Sequence, residues 1–110
     1  MLTGFYVFVG DGNAKYTPPF PRGGLSATFF VQVLDLVGNP TDLVAVVQHK
    51  NIEDTSFTNA QAFGTINTVS VASVSASGLK EILRIAFTPT GNDPWDGFLI
   101  LIPAPSWRPY

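Results

Sequence analysis

Leu25-Ser26-Ala27-Thr28-Phe29-Phe30-Val31-Gln32-Val33-Leu34-Asp35-Leu36 decides the fold of this 110-residue chain. Leu25, Ala27, Phe29, Val31 and Val33 recur with the period of two that puts side chains on one face of a β-strand, and Ser26, Thr28 and Gln32 fall on the other. The phase slips at Val33-Leu34, so that Leu34 and Leu36 are expected to point inward beside Asp35. A slip inside one strand is what a β-bulge or a corner produces. Val69, Val71, then Val74, Ala76 slip in the same way, and two such slips favour a curved sandwich over a flat sheet.

Outward from this segment, short runs rich in Val, Ile, Phe, Leu and Thr alternate with turn signals. The turns are Gly10-Asp11-Gly12-Asn13, Pro18-Pro19, Pro21-Arg22-Gly23-Gly24, Gly38-Asn39-Pro40, Ser77-Gly78 and Gly91-Asn92-Asp93-Pro94. The expected strands are Phe5–Val9, Leu25–Leu36, Leu43–Lys50, Ile66–Ser75, Leu79–Thr88 and Phe98–Ile102, with a weaker piece near Thr55–Thr58. Leu79, Ile82, Leu83, Ala86 and Phe87 also fit helical spacing. The short run, the following Thr88-Pro89-Thr90-Gly91 and the uncapped Gly78 favour a strand. The fold class is therefore all-β: one β-sandwich, jelly-roll-like, of about 6–8 antiparallel strands over residues 1–103. Residues 104–110 form an extended proline-rich tail. Three prolines should keep that tail from joining a central strand.

The absence of cysteine removes disulfides and thiolate metal sites from the argument. Six scattered basic residues against eight acidic ones, for a net charge of −2, make no basic stripe for nucleic acid. Met1-Leu2-Thr3-Gly4-Phe5 does not read as a signal peptide, and no stretch approaches the ~20 apolar residues of a membrane span. Charged residues make up only 13% of the chain, against about 25% in a typical soluble domain. Phe5-Tyr6-Val7-Phe8-Val9 and Phe98-Leu99-Ile100-Leu101-Ile102 do not alternate, which implies cover on both strand faces. A small sandwich has little material for a third layer, so the expected cover is another subunit. The competing cover is a long loop such as Thr17–Gly24.

No residue pattern carries catalysis. His49 has no second His or Cys to complete a zinc site and reads as a polar strand-end residue. A Ser-His-Asp triad through His49 lacks any Gly-x-Ser-x-Gly element. Glu53-Asp54 and the Asp93, Asp96 pair could offer oxygens to calcium but lack EF-hand spacing, and acidic loops are usually just solvated. Gly10-Asp11-Gly12 opens no helix and is no phosphate loop. No cofactor is expected. Trp95 and Trp107, in a loop and in the tail, are either interface anchors or rings for stacking on sugars, unless they fold back over the sandwich end. The interface candidates are Phe5, Phe8, Pro19, Phe20, Arg22, Trp95, Phe98, Ile100, Trp107, Arg108 and Tyr110.

The stretches Gln48–Thr58, Ser77–Arg84 and Ala104–Pro109 resemble small proteins of tailed-bacteriophage heads, the decoration or cement proteins. The resemblance covers the C-terminal two-thirds. It implies a β-sandwich or jelly roll seated on the capsid lattice, often as a trimer. The implied partners are the major capsid protein and copies of itself, with no nucleic acid and no membrane. The protein would be made in the host cytoplasm without a signal peptide and located on the virion surface. A different class of function also fits: a carbohydrate- or receptor-binding sandwich that uses Trp95 and Trp107.

Overall fold

The computed structural model describes residues 5–9, 14–91 and 97–109, with side chains at 14–89 and 97–109. Its elements are β1 (Phe5–Val9), β2 (Lys15–Tyr16), β3 (Phe20–Pro21), β4 (Ser26–Val37), β5 (Pro40–Lys50), β6 (Thr58–Ala62), β7 (Val71–Ala76), β8 (Ile82–Gly91), β9 (Gly97–Leu101) and β10 (Ser106–Arg108). No helix occurs among the described residues, and Ile82–Gly91 is a strand.

The strands form two antiparallel sheets. β1, β9, β4, β10 and β7 make the first; β2, β3, β8, β5 and β6 make the second. Two of the ladders are interrupted lines. β9 and β10 run in near-continuous register along one edge of β4, with Leu101 opposite Gln32 and Ser106 opposite Thr28. β2 and β3 likewise share one edge of β8, with Tyr16 opposite Ala86 and Phe20 opposite Leu83. Both breaks fall at prolines, Pro103 and Pro105 in one line and Pro18-Pro19 in the other. A proline has no N–H to give to a ladder, so pairing stops there and resumes beyond. Counting each broken line once gives eight strand lines among the described residues, in the order first-eighth-third-sixth in one sheet and second-seventh-fourth-fifth in the other. Only the link between the fourth and fifth lines stays within one sheet. Gly38, at φ 72°, turns the short link that carries β4 of the first sheet into β5 of the second.

The alternating pattern of β4 produces the core as the sequence implies. Ala27, Phe29, Val31 and Val33 are buried together with Leu43, Ala45 and Val47 of β5, Leu83, Ile85 and Phe87 of β8, and Phe98 and Ile100 of β9. Burying each large side chain of this kind contributes about 1.5–3 kcal/mol. The expected bulge is present, with the β4–β9 register shifting between Val33 and Asp35. Leu36 beyond it packs on the core, while Leu34, the extra residue, does not join the core cluster.

Further expectations need correction, among them the strand expected over Ile66–Ser75, which is β7 (Val71–Ala76) with Ile66 in an isolated bridge to Leu43. Leu25 precedes β4 and is 45% exposed, its carbonyl accepting the Leu79 N–H. Val69 and Val71 are both exposed, and β7 pairs with β4 without a shift, so the second slip is absent. The piece expected near Thr55–Thr58 lies later, at β6. The tail joins the sheet: Ser106, Trp107 and Arg108 pair with Thr28, Ala27 and Ser26 of β4, which also pairs with β7 on its other edge. The prolines flank this pairing and do not occupy it, so the rule against prolines in central strands is kept locally.

Candidate functional site on the two outer sheet faces

The side chains singled out in the sequence fall into five groups. Phe98 and Ile100 are fully buried and Phe20 nearly so; they hold the sandwich together and offer a partner nothing. Phe5 and Phe8 lie opposite Leu101 and Phe98 in the β1–β9 ladder, with side chains outside the described ones. Trp95 and Tyr110 lie outside the described residues altogether. Pro19 and Arg22 are exposed, but Arg22 braces its own loop, since its Nη1 donates to the Leu79 carbonyl and its N–H to Glu81.

Trp107 is the folded-back indole that the sequence left as one alternative. Its ring meets Phe29 edge-on, with centroids 5.9 Å apart and planes at 80°. A Cβ at Gly23 would lie 2.8 Å from Cγ and Cδ1, so the glycine backbone covers the indole and the ring is not a free stacking platform. Arg108 is held beside it, its Nη1 donating to Thr28 Oγ1 at 3.2 Å.

Of the groups weighed for chemistry, His49 and Asp54 are engaged structurally, while Asp93 and Asp96 lie outside the described residues. His49 Nδ1 accepts the Lys80 N–H at 3.2 Å. Partial burial, and then the Lys80 charge, lower the pKa of this imidazole below 6.5. Asp54 closes the β5–β6 turn by accepting the Asn51 N–H at 2.9 Å and lies 3.8 Å from Lys80 Nζ. Among the described residues no trio of His, Asp or Glu is placed to hold a metal, and no pocket forms.

What remains open are the two outer faces. On the first sheet, Phe30 and Leu34 of β4 and Leu99 and Leu101 of β9 are half-buried, and Val37 and Val71 are 44% and 62% exposed. Asp35, opposite Leu99, is the charged residue at the centre of this face. Among the described residues β1 ends the sheet, paired with β9 along one edge. In the Thr17–Gly24 loop, which the sequence offered as cover for the apolar strands, residues 17–22 pack along β8 of the other sheet and Gly23 and Gly24 abut Trp107 and Arg108 of β10.

On the second sheet the face is built around Arg84 of β8. Its guanidinium carbon lies 3.9 Å from the Tyr16 ring centroid and 4.1 Å from that of Phe57. Its Nε donates to Gln48 Oε1 at 2.8 Å, and Gln48 Nε2 donates to Asn59 Oδ1 at 3.0 Å. Lys50 Nζ stands 5.5 Å from the Phe57 centroid. Sequence reading did not find this cluster. Its only signal was Arg84 between the inward Leu83 and Ile85; the neighbours arrive from three other segments and are set by register, Gln48 lying opposite both Arg84 and Asn59. No protein-family model, no curated protein and no solved structure matches the chain, so these two faces and their chemistry are the basis for assigning it a role.

Proposed function

We propose that the chain is a non-enzymatic structural protein of a tailed-phage virion, a decoration or cement protein that self-associates through the first sheet and reinforces a capsid lattice. The observation that carries the reading is the outer face of that sheet. Phe30, Leu34, Leu99 and Leu101 lie there with exposed Val37 and Val71, and little charge interrupts them. A strand with apolar residues on both faces is suited to burial on both. The adjoining β1 edge, which has no partner strand among the described residues, is of the kind that neighbouring chains extend. The first-eighth-third-sixth and second-seventh-fourth-fifth orders are those of two interleaved Greek keys, so we read the sandwich as a jelly roll, an architecture found in viral capsid and lectin domains alike. Fold alone does not choose between such roles. The packing of Trp107 on Phe29 and Gly23 leaves the glycan-binding alternative without one of its two rings. On a symmetric lattice, modest contacts multiply through multivalency, which suits a small domain without a cofactor.

Light scattering coupled to gel filtration tests the self-association. The wild-type chain is expected to run as a closed oligomer, and Leu101→Arg, which places a charge opposite the uncharged Gln32 on the apolar face, as a folded monomer. A wild-type monomer at every concentration would overturn it. Co-sedimentation with shells of a major capsid protein tests the virion role separately, and no binding by either form would overturn that part.

A further inference from the structure

We infer that the outer face of the second sheet is a docking surface for a protein partner that presents a carboxylate side chain to Arg84. The inference stands apart from self-association through the first sheet. Arg84 is fixed on three sides, by the Tyr16 ring, by the Phe57 ring and by Gln48, which Asn59 holds in turn. This arrangement sets both rings within about 4 Å of the guanidinium carbon and engages its Nε–H. Nη1 and Nη2, farthest from the backbone, have no hydrogen-bond or ion-pair acceptor among the described residues. The remaining N–H groups form the planar fork that matches a carboxylate in a two-point contact. A flexible surface arginine loses side-chain freedom when it binds; a guanidinium already held against two rings and a glutamine loses less.

The surroundings select the kind of ligand. The face forms no pocket, whereas small molecules are held in concave sites that bury most of their surface. Around Arg84 lie Tyr16, 50% exposed, and the outward-facing Val44, Val46 and Ala62. A flat area with a central Arg and Tyr and a mainly uncharged surround has the make-up of a protein-interface hot spot. Lys50, beside Phe57, adds a second positive charge near Arg84, while Asp42 lies at the far end of β5, so the Arg84–Lys50 end of the face is the part complementary to an acidic partner surface. A purely structural stack would brace β2, β8 and the start of β6 without engaging anions. The two roles give different results on titration.

The test is an NMR titration of the ¹⁵N-labelled full chain at pH 7 and low salt. The probe is a hexaglutamate peptide, with hexaglutamine, inorganic phosphate and trigalacturonate as comparison arms. Hexaglutamate is expected to give saturable shifts of the Arg84 Nε–H and Gln48 side-chain amide signals, and hexaglutamine none. Arg84→Lys keeps the charge but loses the fork, and should weaken binding about tenfold. Gln48→Leu, which frees Nε without altering charge, should weaken it to a smaller degree. The absence of saturable shifts in the wild-type protein would overturn the proposal, as would unchanged affinity in folded Arg84→Lys. Tighter binding of phosphate or trigalacturonate than of hexaglutamate would overturn the assignment to a protein carboxylate.

Discussion

Replacing Thr17 with Val tests how the second sheet survives its proline interruption. Thr17 sits between β2 and Pro18-Pro19, where the strand line along β8 loses its donors, and is only 2% exposed. Its N–H donates to the Ile85 carbonyl at 3.0 Å, and its Oγ1 accepts the Ile85 N–H at 3.0 Å. The hydroxyl thus stands in for a backbone acceptor that the broken ladder does not supply. Val keeps the shape and the first bond but removes that acceptor, leaving the N–H of a buried core residue unsatisfied. Such an orphan costs about 1–3 kcal/mol. Unfolding entropy near 2.1 cal/mol/K per residue makes each kcal/mol worth about 4 °C in a chain of this size, so the melting midpoint should fall by about 4–13 °C. The assay is thermal and urea unfolding of wild type, Thr17→Val and Thr17→Ser. Ser retains the acceptor and should fall between the other two. An unchanged or raised midpoint for Thr17→Val, or a larger loss for Ser than for Val, would refute the reasoning.

Gly24→Ala should dislodge the tail, because a Cβ at Gly24 would collide with the Arg108 backbone carbonyl. A destabilisation of about 1–3 kcal/mol is expected, with faster amide exchange at 106–108 than elsewhere; uniform exchange rates would contradict it. Gly64, where an added Cβ meets nothing within 4 Å, is the matched control, and Ala there should be neutral or stabilising by up to about 1 kcal/mol. His49 gives a pH prediction. Burial first and Lys80 second hold its folded-state pKa below 6.5, so on acidification the unfolded chain takes up the proton first. The stability contribution is therefore fully present above 6.5 and is lost as pH falls through that value towards the folded pKa. The urea midpoint should drop between pH 7.5 and 5.5 and flatten in His49→Gln, while a midpoint that rises on acidification would reverse the sign of the argument.

The sequence by itself determined the β class and most of the strands. Strand periodicity is a local property, and Ala27, Phe29, Val31 and Val33 read the same on paper as in the sheet. It also placed the bulge after Val33, since a bulge shifts the phase of the residues that follow it. The Leu79–Phe87 ambiguity was resolved only by tertiary pairing: β8 has β5 on one edge and β2 with β3 on the other, and those partners supply the backbone bonds a helix would have made internally. The tail was misjudged because proline content describes a segment, whereas pairing depends on which positions must donate, and Ser106–Arg108 lie between the prolines. Phe98 and Ile100 looked like interface residues because the non-alternating run Phe98–Ile102 hid which parity faced inward; packing against β5 and β8 put them in the core and left Leu99 and Leu101 outside. The Arg84 cluster had no contiguous signature. Tyr16, Gln48, Phe57 and Arg84 are distant along the chain and meet through cross-strand register, which arises only when the strands pair.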